Sequence, residues 1–118
     1  MAATSQNNKQ KGTKWENELV ALLGGQGYWA HRFAENVDGS QPCDVIAVRN
    51  MIAYIFDCKT CDADFFDISR LEENQIRCFE KWLACGNTMP HIAVKRKDGE
   101  IFFIPYDELK RKKRIRIS

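Results

Sequence analysis

The chain has 118 residues, 44% of them hydrophobic and 29% charged, with a formal net charge of +2. That length suits one domain with a single ordinary core, and no run approaches the roughly 20 apolar residues a membrane-spanning helix needs. The polar opening "MAATSQNNKQKGTK" lacks the apolar centre of a secretory signal, and five irregularly spaced cysteines make no disulfide framework, so a cytoplasmic location is expected.

Residues 1–11, rich in Asn, Gln and Lys, read as a flexible arm. From Thr13, a candidate N-cap with Glu16 as its capping-box partner, Trp15, Leu19, Leu22 and Leu23 recur at helical spacing until Gly24 and Gly25 end the helix. "YWAHRF", 28–33, predicts a short strand, followed by the polar loop "AENVDGSQP". Residues 43–49 and 52–58 predict two more strands, joined so tightly around Asn50 that an antiparallel hairpin is the natural link. After "CDADFFDI" comes a second helix, with Ser69 as N-cap, Glu72 as its box partner and an apolar stripe through Leu71, Cys78, Phe79, Trp82 and Leu83 up to Gly86. "HIAVKR" and "EIFFIP" read as a second hairpin, and a short helix from about Tyr106 leads into a basic tail over 110–118. The expected fold is α/β or α+β, a mixed central sheet flanked by helices.

Charge is unevenly placed along these elements. "KRKKRIR", 110–116, holds six of the 18 basic residues, and the remaining 12 stand against 16 acidic ones, a net of −4. Such a tail fits contact with phosphate backbones, or simply a solubilising end.

Three charges interrupt the two apolar strands of "CDVIAVRNMIAYIFDCKT": Asp44, Asp57 and Lys59. An unpaired charge in a low-dielectric core costs several kcal/mol, so their presence needs a reason. Side chains alternate along a strand, which places Asp57 and Lys59 on one face and Cys58 on the other. A hairpin returns the start of one strand to the end of the next, so two carboxylates and an ammonium converge. A hard divalent cation uses one or two carboxylates, completing its shell with water and substrate phosphate. Lys59 beside it suits orientation of a water or stabilisation of a phosphorane. The same residues also fit a structural ion pair between Asp44 and Lys59.

"PCDVIAV" followed by "IFDCKT" resembles the PD-(D/E)XK nuclease signature, and "KGTKWENEL", "AHRF", "DGS" and "CDVIAV" in that order resemble the archaeal-type Holliday junction resolvases and their phage relatives. The similarity runs from Lys11 to about Gln75. It implies a restriction-endonuclease-like fold and a Mg²⁺-dependent (or Mn²⁺-dependent) DNA endonuclease that cuts four-way junctions as a homodimer. It further implies Glu16, Asp44, Asp57 and the Cys58 backbone carbonyl as metal ligands and Lys59 as the catalytic lysine. Ser40 matches a mobile-loop serine, Arg32 a basic residue near the scissile phosphate, and Gln75 a helix glutamine facing the site. Lys11 in the arm, with Lys110, Arg111, Lys112, Lys113 and Arg114 in the tail, would hold phosphates. Cys43 separates Pro42 from Asp44, so the literal "PD" pair is absent, and Asp57 stands where many resolvases carry glutamate. Both departures leave open another nuclease of the superfamily, acting on flaps, duplex or invading DNA. A non-cleaving DNA-binding module on the same fold is disfavoured by the joint presence of Glu16, Asp44, Asp57 and Lys59.

Other signals have simpler readings. "CKTC", 58–61, is formally a redox or zinc motif, but three residues along a strand send the two sulfurs to opposite faces. Cys78 and Cys85 read as core, and His31 and His91 as partly exposed strand residues. Tyr28, Trp29, Phe102 and Phe103 suit base stacking, a core or a subunit interface. Phe65 and Phe66 are either folded under their loop or offered to a partner chain, with the dimer contact slightly favoured.

Overall fold

A computed structural model describes residues 2–34 and 41–118, with side chains from residue 12 onward. Helix α1 runs Ala2–Gly25. Trp15, Leu19 and Leu23, four residues apart, bury one stripe against the sheet. Trp15 also donates from its indole Nε1 to the Ala93 carbonyl at 2.9 Å, pinning α1 across the sheet. The helix thus begins well before Thr13, which lies inside it and is not its N-cap. Once a packed segment supplies the nucleus, each further residue adds a hydrogen bond at little cost, and Ala, Gln and Lys propagate a helix well. It ends, as expected, at the Gly24-Gly25 pair. Tyr28 N–H bonds the Leu23 carbonyl (3.1 Å) and Gly27 N–H the Gly24 carbonyl (3.1 Å), with Gly27 at φ +89°.

The main sheet contains β1 (Trp29–Arg32), β2 (Val45–Arg49), β3 (Ile52–Thr60), β5 (His91–Lys95) and β6 (Ile101–Pro105) in the order β1-β2-β3-β5-β6. The β1/β2, β2/β3 and β5/β6 pairs are antiparallel, and β3/β5 is parallel. Helix α2 (Glu73–Ala84) makes the crossover a parallel pair requires. Both expected hairpins form. The first turns on Asn50 (φ +53°) and Met51 (φ +71°), the two-residue geometry with positive φ that matches strand twist.

One core lies on the α1 face of the sheet and a second under α2, where Phe79, Ile92, Ile104, Tyr106, Leu109 and Ile117 meet. Two expectations about α2 change. Glu72 precedes the helix, and its N–H is taken by the Gln75 side chain at 2.8 Å. Ser69 instead belongs to a 3-10 turn, Ile68–Arg70, whose N-terminus is capped by Asp67 Oδ1 accepting from Ser69 N–H at 2.9 Å. Burial of Leu71 holds the chain extended between turn and helix.

The basic end of the chain is folded rather than a tail. Lys110, Arg111 and Lys112 lie on α3 (Tyr106–Lys112), and Arg114–Arg116 form β7, antiparallel to β4 (Phe65–Asp67) in a small second sheet. Phe66 is fully buried, while Phe65 lies beneath the guanidinium groups of Arg114 and Arg116, 4.2 and 5.4 Å from its ring. Phe66 is therefore folded under within the chain, while Phe65 stays partly exposed beneath the two guanidinium groups.

Candidate active site

Three elements end at one place. Asp44 precedes β2 and Asp57 lies late in β3, just past the last ladder pair, Val45↔Phe56. There the Asp44 side chain substitutes for a backbone partner, Oδ2 accepting from the Cys58 N–H at 2.7 Å. From α1, Glu16 faces the same hollow, because burial of its neighbour Trp15 fixes the helix rotation. From α2, Gln75 reaches in over the sheet. The cavity holds about 230 Å³ and is lined by Glu16, Arg32, Asp44, Asp57, Lys59 and Gln75, among others.

Asp57 is the centre of this arrangement, 1% exposed. Its Oδ1 accepts from Gln75 Nε2 at 2.7 Å, whereas its Oδ2 is buried without a hydrogen bond and stands 3.6 Å from Lys59 Nζ. Burial first, then the charge of Asp44, pushes its carboxyl well above the usual range, and Lys59 opposes the shift. Burial and the adjacent carboxylates also push the Cys43 and Cys58 thiols far up, so both remain neutral and are poor nucleophiles or thiolate ligands. Arg32 Nη1 donates to Glu16 Oε1 at 3.2 Å, tying β1 to α1 at the rim.

This donor set fits a hard cation. Two carboxylates are held together, one with a buried oxygen that accepts no hydrogen bond, and their repulsion, only partly offset by Lys59, favours a further positive charge between them. Among the described residues no three Asp, Glu, His or Cys side chains enclose an ion by themselves. Mg²⁺ asks for less, since it keeps several waters and binds through one or two carboxylates plus phosphate oxygens.

Glu16, Arg32, Asp44, Asp57, Lys59 and Gln75 are thus gathered at one site. Ser40 lies outside the described residues, as does the side chain of Lys11. Lys110 to Arg114 are not in the cavity lining: Lys110 pairs with Glu80 (2.7 Å) and Lys112 with Glu108 (2.8 Å). Unforeseen neighbours are Phe33, Gln41, Glu72 and Asn74. The capping spacing from Glu72 to Gln75 was the available signal for the α2 pair. His91 is a half-buried strand residue whose Nδ1 lies 2.9 Å from the Met89 carbonyl, and burial lowers its pKa. A larger hollow of about 420 Å³ lies beyond α1, lined by Lys14, Trp15, Glu18 and Lys95; Lys95 and Glu18 pair within it, away from the carboxylate pair.

Residues 7–118 match the family described as archaeal Holliday junction resolvase (Hjc). The chain is 33% identical over 95 residues to the crossover junction endodeoxyribonuclease Hjc of Methanocaldococcus jannaschii, covering 80% of this chain and 65% of that protein's length. Its fold is similar to the solved structure of Archaeoglobus fulgidus Hjc, a Holliday junction resolvase from an archaeal hyperthermophile. The TM-score is 0.63 at 22% identity, over 80% of this chain and 72% of that one.

Proposed function

The chain belongs to the archaeal Holliday junction resolvase family, and on that premise we propose that it is a divalent-metal-dependent, structure-selective DNA endonuclease that resolves four-way junctions. The observation that carries this reading is the convergence of Glu16, Asp44, Asp57 and Lys59 on one cavity, with Gln75 fastened to Asp57.

Asp44 and Asp57, with the Cys58 carbonyl and Glu16 completing the set, would hold Mg²⁺ or Mn²⁺. A bound cation of this kind lowers the pKa of a water to make a nucleophile and neutralises charge on the phosphodiester oxygens. The chain's own groups do the rest. Gln75 fixes the rotamer of Asp57, so that Oδ2 faces the cavity side occupied by Lys59. Lys59, its side chain 16% exposed, offers an ammonium to an attacking water or to the charge that grows on the phosphate as the P–O bond breaks. Arg32, bonded to Glu16, sets a second cation at the rim where the phosphate enters.

A junction needs two symmetric cuts, and a two-fold homodimer places two identical sites on it. Lys11 and the cations of α3 and its C-terminal extension would hold the arms through salt-sensitive phosphate contacts.

Cleavage of labelled four-way junction, flap and linear duplex, side by side in Mg²⁺ or EDTA, tests the reading with wild type and Asp57→Asn. Paired metal-dependent cuts in the junction alone, absent in the variant, are expected. Flap or duplex cut at similar rates would keep a nuclease and reject a resolvase, and binding without cutting in Mg²⁺ would reject both.

A further inference from the structure

We propose that the outer face of β1 is a stacking platform for nucleobases exposed at a branch point, formed by Trp29 and His31 and leading into the active-site cavity through Phe33. The inference rests on the DNA-acting role proposed above and names the feature of branched DNA that this surface reads.

The face is open because of how the helices are placed. Ala30 and Arg32 turn towards α1, where Ala30 joins the core and Arg32 meets Glu16. Residues 29, 31 and 33 therefore point to the other side of the sheet. Among the described residues that side is covered by α2 near β3 and β5, where Ile92 and Ile55 are buried, but β1 lies at the sheet's edge. Trp29 is 63% exposed and His31 is exposed as well. An indole left largely in water forgoes most of its burial free energy, so this position is not explained by folding.

The rings form a ladder. Trp29 and His31 are near parallel, 9° apart with centroids at 5.9 Å, and Phe33 meets His31 edge-on at 5.5 Å. Phe33 lies in the wall of the catalytic cavity, so the ladder starts where the scissile phosphate would sit. Four strand residues span about 13 Å, and stacked bases rise about 3.4 Å each, so Trp29 lies about four base steps from the cavity.

A nucleobase is the occupant that this geometry suits. A flat indole in parallel orientation offers a π-face, which every base matches whatever its sequence. Bases inside a duplex are already stacked on both sides and offer none. Bases at the centre of a junction, where arms separate, do. The platform therefore rewards branching itself, and its continuity with the catalytic cavity links that recognition to the cut.

The test is binding of junction and of linear duplex in EDTA, which separates recognition from cleavage, for wild type, Trp29→Ala, Trp29→Phe and His31→Ala. Sedimentation of each protein accompanies it. Trp29→Ala is expected to weaken junction binding about 10-fold or more while duplex affinity changes less than twofold. Trp29→Phe should recover most of the loss, and the salt slope should not move, because no cation is removed. Unchanged junction affinity, or an equal loss on both DNAs, overturns the proposal. A fall to half the sedimenting mass also overturns it and assigns the face to a second copy of the chain. If wild type itself shows no preference for the junction, it is the resolvase reading that fails, and that outcome is visible before any variant is made.

Discussion

Gln75 bridges Asp57 and the start of α2: its Nε2 donates to Asp57 Oδ1 at 2.7 Å while its Oε1 accepts from the Glu72 N–H at 2.8 Å. One amide therefore joins a helix cap to a buried carboxylate, and its two ends cannot be exchanged without breaking both bonds. Gln75→Ala should lower cleavage by about 10- to 100-fold, the usual cost of losing a partner of a metal ligand, and should also cost about 1 kcal/mol in stability as the cap is lost. Gln75→Glu keeps an acceptor for the cap but sets a third carboxylate against Asp57. It should fold near normally and cleave no better than the alanine variant. Equal activity of Gln75→Glu and wild type would remove Gln75 from the machinery.

The buried carboxyl of Asp57 is poorly satisfied as an anion by the fold alone, with one oxygen accepting no hydrogen bond and Asp44 close by. In EDTA at neutral pH, Asp57→Asn should therefore melt above wild type, since the amide oxygen still accepts from Gln75 and the repulsion with Asp44 is gone. A gain of about 1 kcal/mol corresponds to about 4 °C in a domain of this size. Mg²⁺ at ten times its Kd should then raise wild type by about 1.4 kcal/mol and leave the variant unmoved. Calorimetry with and without Mg²⁺ reads both effects; an equal metal response in the two proteins would place the cation elsewhere.

Glu80 accepts from Lys110 Nζ at 2.7 Å and from the Tyr106 hydroxyl at 2.6 Å through the same oxygen. Hydrogen bonding by Lys110, then by Tyr106, holds its carboxyl below the ordinary glutamate value of 4.5. A carboxyl lowered on folding adds stability above its unfolded value, and the gain is lost as pH falls through the folded one. The side chain is 45% exposed, so solvent screening keeps the ionic part below about 1 kcal/mol. Urea unfolding should show Glu80→Gln weaker than wild type at pH 7 and equal to it near pH 3. A difference independent of pH would mean that packing, not charge, is lost.

Deleting residues 110–118 would not be a clean test of DNA binding. Ile117 is 1% exposed and β7 pairs with β4, so the truncation should expose core and lower the melting point steeply. Charge removal at Arg111 and Lys113 avoids this, because both are exposed. Arg111→Gln with Lys113→Gln should reduce the slope of log Kd against log salt by about 0.9 for each phosphate no longer neutralised, with folding intact. An unchanged slope would take these two cations out of the DNA interface.

Much of this was legible in local patterns. The Trp15, Leu19, Leu23 stripe and the tight turn at Asn50 each depend on neighbours within a few residues, and so they could be read. Asp44, Asp57 and Lys59 stood out because charge in an apolar strand has few explanations. What stayed hidden depends on distant partners. The β4/β7 pair joins three-residue strands about fifty positions apart, with no apolar alternation to announce it. Ser69 and Glu72 have capping-box spacing, yet Asp67 captures the Ser69 N–H first and Leu71 turns inward between them. The N-terminal start of α1 was missed because a composition that reads as disordered in isolation can extend a helix already anchored by Trp15.

The turn at Asn50 and Met51 has a consequence for how such a chain can vary over time. It touches nothing of the site: Met51 is 100% exposed, and Val45 to Arg49 separate the turn from Asp44. Yet it is the closed end of a zipper whose open end holds Asp44 and Asp57. Replacing either turn residue leaves the count of teeth unchanged, and glycine at Met51 would even relieve a left-handed backbone. Inserting or deleting one residue there slips β3 by one tooth and turns Asp57 to the opposite face of the sheet. In a lineage of such chains this loop is therefore free in spelling and fixed in length, and the ruler for the gap between the two carboxylates is kept about 17 Å from the gap it measures.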